Sequence, residues 1–382
     1  MAVHQTSVKT EWPLNVQRHG WLESETDKKS LSFELNAEQS TALRKLTDRH
    51  TSTDQHYTII TRDQFSHPSV DPFFARMTEE LKWGKGLVFL RGIPLEGYTL
   101  DEIRTLYWGI GTHFGTALSQ SGVGDKMGDV MFRAGASRGY TSDQELELHT
   151  DYTEIGVLLC IQPAKSGGEN VFASSLTLWD IVEREHPEFI PVLKRGFRCW
   201  REGEYPADQE AITSYPVPVF GEKNGLRSVY RSWITADATA RFLGQPLSPL
   251  EAGAIKFIYE LLGREELKFS ASLDRGEAVF FNNFEVMHSR TSFVQWEAPA
   301  KTRHLLRLWF QCTPPRAIPD EMKYYENPSG LLGHDPDAKL AGQQFTTWRD
   351  DPAARFMKEY FADSLSGKQR ESDLVIRHLE VS

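Results

Sequence analysis

Between Leu146 and Gln311 the chain breaks into short β-rich runs with turn residues between them: Gly156–Ile161, Val217–Phe220, Arg227–Tyr230, Ala278–Asn283 and Arg303–Gln311. Parallel pairing of such runs requires a crossover, usually a helix, between each pair. No regular strand–helix–strand alternation is present. Helical segments at Leu176–Glu185, at Thr235–Leu243 and after the capping box Ser248-Pro-Leu-Glu251 interrupt the series without alternating with it. The pattern predicts an antiparallel β core with helices packed outside it.

Upstream, Leu43 and Leu46 share one face of a helix over Ala37–His50, and a second helix is expected over Asp71–Trp83. Gly84-Lys85-Gly86 ends it, and Leu87–Leu90 reads as a buried strand. Thr99-Leu-Asp-Glu102 is a capping box for a helix carrying Ile103, Leu106, Tyr107 and Ile110. After Cys312 five prolines from Pro314 to Pro336 interrupt the chain, and a tail that wraps the core is expected rather than a further domain. The length of 382 residues would allow two or three domains. The texture instead gives one structural unit: a helical lead-in over 1–85, a core over 86–313 with an insertion at about 176–275, and a tail over 314–382.

Composition excludes several classes of function. A formal charge of −10 argues against sequence-independent binding to nucleic acid, which needs a positive field. No apolar run reaches the length of a membrane span. The opening segment Met1–Trp12 lacks the apolar centre of a secretion signal. Cys160, Cys199 and Cys312 lie far apart and are too few for a disulfide framework, so reduced thiols and a cytoplasmic location are expected. The expected partner is a small-molecule substrate, with no nucleic acid and no membrane; a homo-oligomer is compatible with the sequence.

Three signals carry chemistry. In Leu148-His149-Thr150-Asp151 the imidazole and the carboxylate are two residues apart, so both face the same side of a strand. Alone, such a pair is more often a hydrogen-bonded His–Asp couple than a metal site. His288 ends the apolar run Phe280–Met287, where a lone His is more often a satisfied core residue. Together, two His and one carboxylate form the facial triad of non-haem iron sites, with positions left open for a bidentate co-substrate and O2. In Arg303-His-Leu-Leu-Arg307, Arg303, Leu305, Arg307 and Trp309 share one face; His304, Leu306, Leu308 and Phe310 share the other. Two guanidinium groups beside a buried strand need an anion. A dicarboxylate meets that need bidentately, and so would the protein's own Asp or Glu.

These residues, in this order, give the chain a resemblance to the Fe(II)/2-oxoglutarate-dependent dioxygenases of the taurine dioxygenase-like, or clavaminate synthase-like, superfamily. The resemblance runs from about Lys82 to Gln311 and is carried by His149-Thr-Asp151, Gly167-Gly-Glu-Asn170, Asn282-Asn283 with His288, and Arg303 with Arg307. It implies a mainly β fold with flanking helices: a double-stranded β-helix (jelly-roll, cupin-like) core with a helical insertion. It implies Fe(II) on His149, Asp151 and His288, and 2-oxoglutarate held by Arg307 first, then Arg303, with Asn170 in a place where the family often has Thr or Ser. Ser174 and Ser175 are alternative donors. O2 is the third reactant, and the implied reaction is oxidation of an unactivated C–H bond: hydroxylation, or desaturation or ring closure. Arg133, Arg138, Tyr140 and Phe345 are candidate substrate contacts by position, with a small amino acid or carboxylate as the expected substrate. The competing class is a metal-binding cupin-like protein or a zinc hydrolase on the same His149, Asp151 and His288. Such a protein has no use for two inward arginines, and its general base would have to be Glu147 or Glu154.

Overall fold

The computed structural model describes residues 20–53, 55–121, 124–133, 141–205, 209–298, 301–325, 351–365 and 369–380. In chain order its strands and α-helices are β1 (Ser32–Glu34), α1 (Ala37–Thr51), α2 (Asp71–Trp83), β2 (Leu87–Arg91), α3 (Leu100–Gly111), β3 (Thr116–Ala117), β4 (Met127–Met131), β5 (Leu146–His149), β6 (Ile155–Gln162), β7 (Ser166–Gly167) and β8 (Asn170–Ser174). There follow α4 (Ser175–Glu185), α5 (Ile190–Arg195), β9 (Phe220–Lys223), β10 (Leu226–Val229), α6 (Ala236–Phe242), α7 (Pro249–Leu262), β11 (Phe269–Ala271), β12 (Ala278–Asn282), β13 (Val286–Arg290), β14 (Phe293–Val294) and β15 (His304–Gln311). The chain closes with α8 (Pro352–Tyr360), α9 (Ala362–Leu365) and α10 (Glu371–Glu380).

Two sheets face each other. The larger runs β1-β2-β12-β6-β15-β3, with β4 also on β15; the smaller runs β11-β8-β13-β5. All pairings are antiparallel except β1 on β2, which the long α1–α2 connection permits. Alternation along the strands assigns their faces. Phe89, Cys160, Val279, Phe281 and Leu305 point inward and meet Phe172, Phe269 and Val286 of the smaller sheet. Their neighbours Val88, Leu90, Leu159, Phe280 and Leu306 point outward and are covered by α1, α2 and α3. Strands buried on both faces read as continuous apolar runs, which is why β12 is buried throughout. The result is the jelly roll of the cupin-like class, mainly β with helices on both flanks.

The insertion between β8 and β11 holds α4 to α7 and the β9–β10 hairpin. These helices form a second core with Leu148, Ala173 and Met287 on the back of the smaller sheet. The run Val217–Phe220, expected to be a strand, is a correction. Val217 makes one isolated bridge to Phe197, and the strand begins only at Phe220. Pro216 and Pro218 flank Val217 and have no N–H to donate to a ladder. The lead-in also contributes a strand that polarity concealed: β1, buried only in part, pairs through Phe33 with Leu90. In the tail, α8 and α10 add Ala354, Met357, Leu374 and Val375 to the second core. Among the described residues, no helix is long and apolar enough to cross a membrane.

Candidate metal centre and active-site cavity

His149 closes β5 and lies directly across from His288 on β13, so strand register alone brings the two rings to 4.4 Å between centroids. Asp151 follows in the turn after β5. Asn283 holds that turn: its side-chain oxygen accepts from Asp151 N at 2.9 Å, and its amide donates to the carbonyls of Asp151 and Thr153 at 2.6 and 3.0 Å. Asn283 is fully buried, which explains the Asn-rich end of β12 in structural terms. One ligand atom from each of His149, Asp151 and His288 lies within 4.8 Å of the others, close enough to share an ion. His288 Nε2 stands 3.4 Å from Asp151 Oδ2, and His149 Nε2 stands 3.8 Å from Asp151 Oδ1.

The protonation states suit a divalent cation. Burial, reinforced by the His288 ring, pushes His149 down to about 3, so the imidazole is neutral. Its Nδ1 faces the Glu147 carbonyl at 2.7 Å; as donor there it leaves the Nε2 lone pair for a metal. Burial works against the Asp151 carboxylate, but His288, Arg307 and His149 outweigh it and hold it well below the usual carboxylate range. Trp309 Nε1 donates to Asp151 Oδ2 at 3.1 Å and fixes the carboxylate plane. Two imidazole nitrogens and one anionic oxygen on one side of a cavity form the donor set of a facial triad.

That cavity is about 800 Å3 and opens between the sheets. Arg303 and Arg307 both line it, as their shared face predicts, and Asn170 does too. Arg307 sits at the metal end, with Nη1 3.8 Å from Asp151 Oδ2. Gln120 holds it reciprocally, accepting from Arg307 Nε at 2.7 Å and donating to the Arg307 carbonyl at 2.8 Å. Arg303 lies further along. It stacks over Phe293, its Nη2 reaches the Gly168 carbonyl at 3.4 Å, and its Nη1 is buried with no hydrogen-bond partner among the described residues. Gly168 has φ +76°, and a Cβ there would stand 3.0 Å from Arg303 Nε, so the glycine pair leaves room for the guanidinium.

Arg290, which the sequence reading did not single out, faces the same cavity from β13. It lies two residues after His288 and across from Asn170 in register, and it covers the same Phe293 ring as Arg303. Period-two spacing from His288 was the signal that could have found it. Burial brings Arg290 down to about 9, with the Arg303 charge adding, and brings Arg303 down to about 10. No Asp or Glu forms an ion pair with either among the described residues, so the internal salt bridge that the sequence left open for Arg303 is not what meets it here.

Other expectations are placed differently. Ser174 is the N-cap of α4 and accepts from Thr177 N, while neither it nor Ser175 lines the cavity. Arg133 lies outside the cavity wall, and its N–H donates to the Thr141 carbonyl at 2.9 Å. Arg138, Tyr140 and Phe345 lie outside the described residues. Glu154 is buried away from the cavity and accepts from the backbone of Cys312 and Arg316, so it is not placed as a base for a hydrolase. Glu147 accepts both the N–H and the hydroxyl of Ser372. The tail, read from sequence only as a wrap, supplies Met357, Phe361 and Glu371 to the outer wall.

A jelly roll that sets two His and one Asp in the wall of an arginine-lined cavity defines a non-haem iron oxygenase of the 2-oxoglutarate-dependent type. Residues 40–309 match the family described as "Taurine catabolism dioxygenase TauD, TfdA family", and the chain belongs to it. It is thus an Fe(II)/2-oxoglutarate-dependent dioxygenase by family, with O2 as the third reactant. The FR-33289 synthase of Streptomyces rubellomurinus is 31% identical over 65% of this chain and 75% of its own length. The taurine hydroxylase-like protein SAT17 of Stachybotrys chartarum is 25% identical over 64% and 66%. In structure the chain is similar to asparagine oxygenase in complex with Fe(II), 2S,3S-3-hydroxyasparagine and succinate, with a TM-score of 0.60 and 14% identity over 73% of this chain and 93% of that one. It is also similar to the non-haem iron oxygenase OrfP in complex with Fe and α-ketoglutaric acid, with a TM-score of 0.54 and 13% identity over 73% and 93%.

Proposed function

We propose that this enzyme oxidises an unactivated C–H bond of a small carboxylate- or amino-acid-like metabolite. The observation that carries this reading is the pair Arg290 and Arg303, buried and in no ion pair with a described carboxylate, in the same cavity as a neutral His149 and an ionised Asp151. A zinc hydrolase gives those arginines nothing to do, and for this reason the reading is not favoured. When bound, Fe(II) with 2-oxoglutarate supplies the oxidising power, at the cost of decarboxylating the co-substrate to succinate and CO2.

His149 Nε2, an Asp151 oxygen and His288 Nε2 would hold the iron. Arg303, with Arg290 beside it and the Asn170 amide near, receives the far carboxylate of 2-oxoglutarate. Arg307 stands next to Asp151 and serves the metal end, an order opposite to the one likeness suggested. The apolar wall of Leu158, Leu305 and Trp309 keeps water from the reacting atoms. A cavity of about 800 Å3 leaves room for a second small molecule beside the co-substrate. The synthase name of the Streptomyces relative supports a place in specialised metabolism.

The test is anaerobic titration of the metal-free protein with Fe(II) and then 2-oxoglutarate, followed by the visible charge-transfer band of the chelate. The band should form in the wild type and fail in His149→Ala. Arg303→Ala should keep the metal but weaken 2-oxoglutarate by roughly 30-fold or more, the effect of about 2–5 kcal/mol expected when a buried charge partner is truncated. Metal binding without a band in the wild type would overturn the proposal.

A further inference from the structure

The outer half of the cavity differs chemically from the inner half. Its wall is aromatic, with Tyr152, Trp233, Tyr259 and Phe361, and it carries several carboxylates together with Arg231 and Arg370. Most of these carboxylates are occupied. Glu202 takes Arg231 at 2.7 Å, Glu147 takes Ser372, and Asp373 takes Arg370 at 3.0 Å. Glu371 does not fit this pattern. It is part-buried, opens α10, lines the cavity, and has no hydrogen bond or ion pair among the described residues. The α10 N–H that could have satisfied it, that of Ser372, is used by Glu147. Beside it stands a second orphan: Tyr259, 7% exposed, whose hydroxyl has no partner among the described residues.

A part-buried carboxylate against aromatic walls is costly unless a cation meets it. Aromatic faces and a carboxylate together are the standard reception for an ammonium or guanidinium group. We propose that Glu371, with the Tyr259 hydroxyl, binds an ammonium or guanidinium group of the substrate and so selects cationic small metabolites. The inference rests on the oxygenase function proposed above and names the substrate class of that site. In support, burial and the neighbouring Glu147 raise the Glu371 carboxyl to about 7 even against Arg231, whose guanidinium is ion-paired with Glu202. Glu147 acts here as a positioning residue, because it holds the α10 end that presents Glu371.

The experiment is calorimetric, on the full chain with and without Fe(II) and 2-oxoglutarate under anaerobic conditions. The probes are matched pairs: L-arginine against L-citrulline, and L-lysine against L-norleucine. The cationic member of each pair should bind at least tenfold more tightly to the wild type. Glu371→Gln should remove that gap, and Glu371→Asp should restore part of it, which separates recognition from folding. Equal binding within the pairs, no binding of either cation, or a gap that survives Glu371→Gln would each overturn the inference. The chelate band with 2-oxoglutarate alone is recorded separately. Its absence alongside an intact cation preference would remove the oxygenase function and leave the cation site standing.

Discussion

Asp151 is the most constrained side chain of the centre. Its Oδ2 faces His288 Nε2, Trp309 Nε1 and Arg307 Nη1, and its backbone is clamped by Asn283. Each contact holds the carboxylate ionised and in one orientation, and orientation is what a triad needs, because three ligands on one face tolerate little rotation. Trp309→Phe removes one hydrogen bond and little volume. It should lower Fe(II) affinity about 10- to 100-fold, the usual effect of losing a partner of a metal ligand. Calorimetric titration with Fe(II) measures this directly, and wild-type affinity in the variant would show that Asn283 and the strand register suffice. The same residue scale explains what the sequence made legible. His149, Asp151 and His288 stood out because H-x-D and a His at a strand end need only period-two geometry. Arg290 obeyed the same period but looked like an ordinary charge after a strand. Its chemistry became visible only when Phe293 and Arg303 folded against it.

At the level of elements, β5 and α10 are joined by one contact that matters to the site. Glu147, two residues before a metal ligand, accepts from the N-terminal N–H and the hydroxyl of Ser372 on α10. A carboxylate at a helix N-terminus complements both the free N–H groups and the helix dipole. The outer wall of the cavity is thus tied to the strand that carries His149. Glu147→Ala should release this end. Amide exchange in 371–380 is expected to speed up by tenfold or more while β12 and β13 keep their protection, and mass-resolved hydrogen exchange reads both at once. Unchanged protection of α10 would assign its docking to Leu374, Val375 and Leu379 alone. Nothing in the sequence announced this contact, since 225 residues separate its two partners. The helices themselves were more legible than the tail reading allowed: Asp351 caps α8 and Pro352 opens it, a local start signal that the neighbouring prolines obscured.

Across the whole molecule, two sheets carry the site and two helical layers carry much of the packing. The lead-in helices bury the back of the larger sheet, and the insertion and tail bury the back of the smaller one. Sequence periodicity reached the strands and helices of these layers but not their pairing, because more than a hundred residues separate β6 from β12 and β15. The first layer contains a titratable group far from the cavity. His113, just beyond α3, has its Nε2 3.0 Å from the Phe65 carbonyl and its ring against Phe74, and burial, with Arg62 adding, lowers it to about 4. In the unfolded chain the same side chain titrates near 6.5. Between these values the unfolded state binds more protons, so stability rises with pH there. The contribution is fully present above about pH 6.5 and is lost as pH falls toward 4, by at most about 1.4 kcal/mol per pH unit. His113→Gln keeps a donor toward the Phe65 carbonyl but cannot titrate, and it should be less stable than the wild type near neutrality yet lose less on acidification. Urea unfolding of both proteins at half-unit steps from pH 4 to 7 measures the difference in slope. Parallel curves would mean that His113 does not carry the acid sensitivity of this layer.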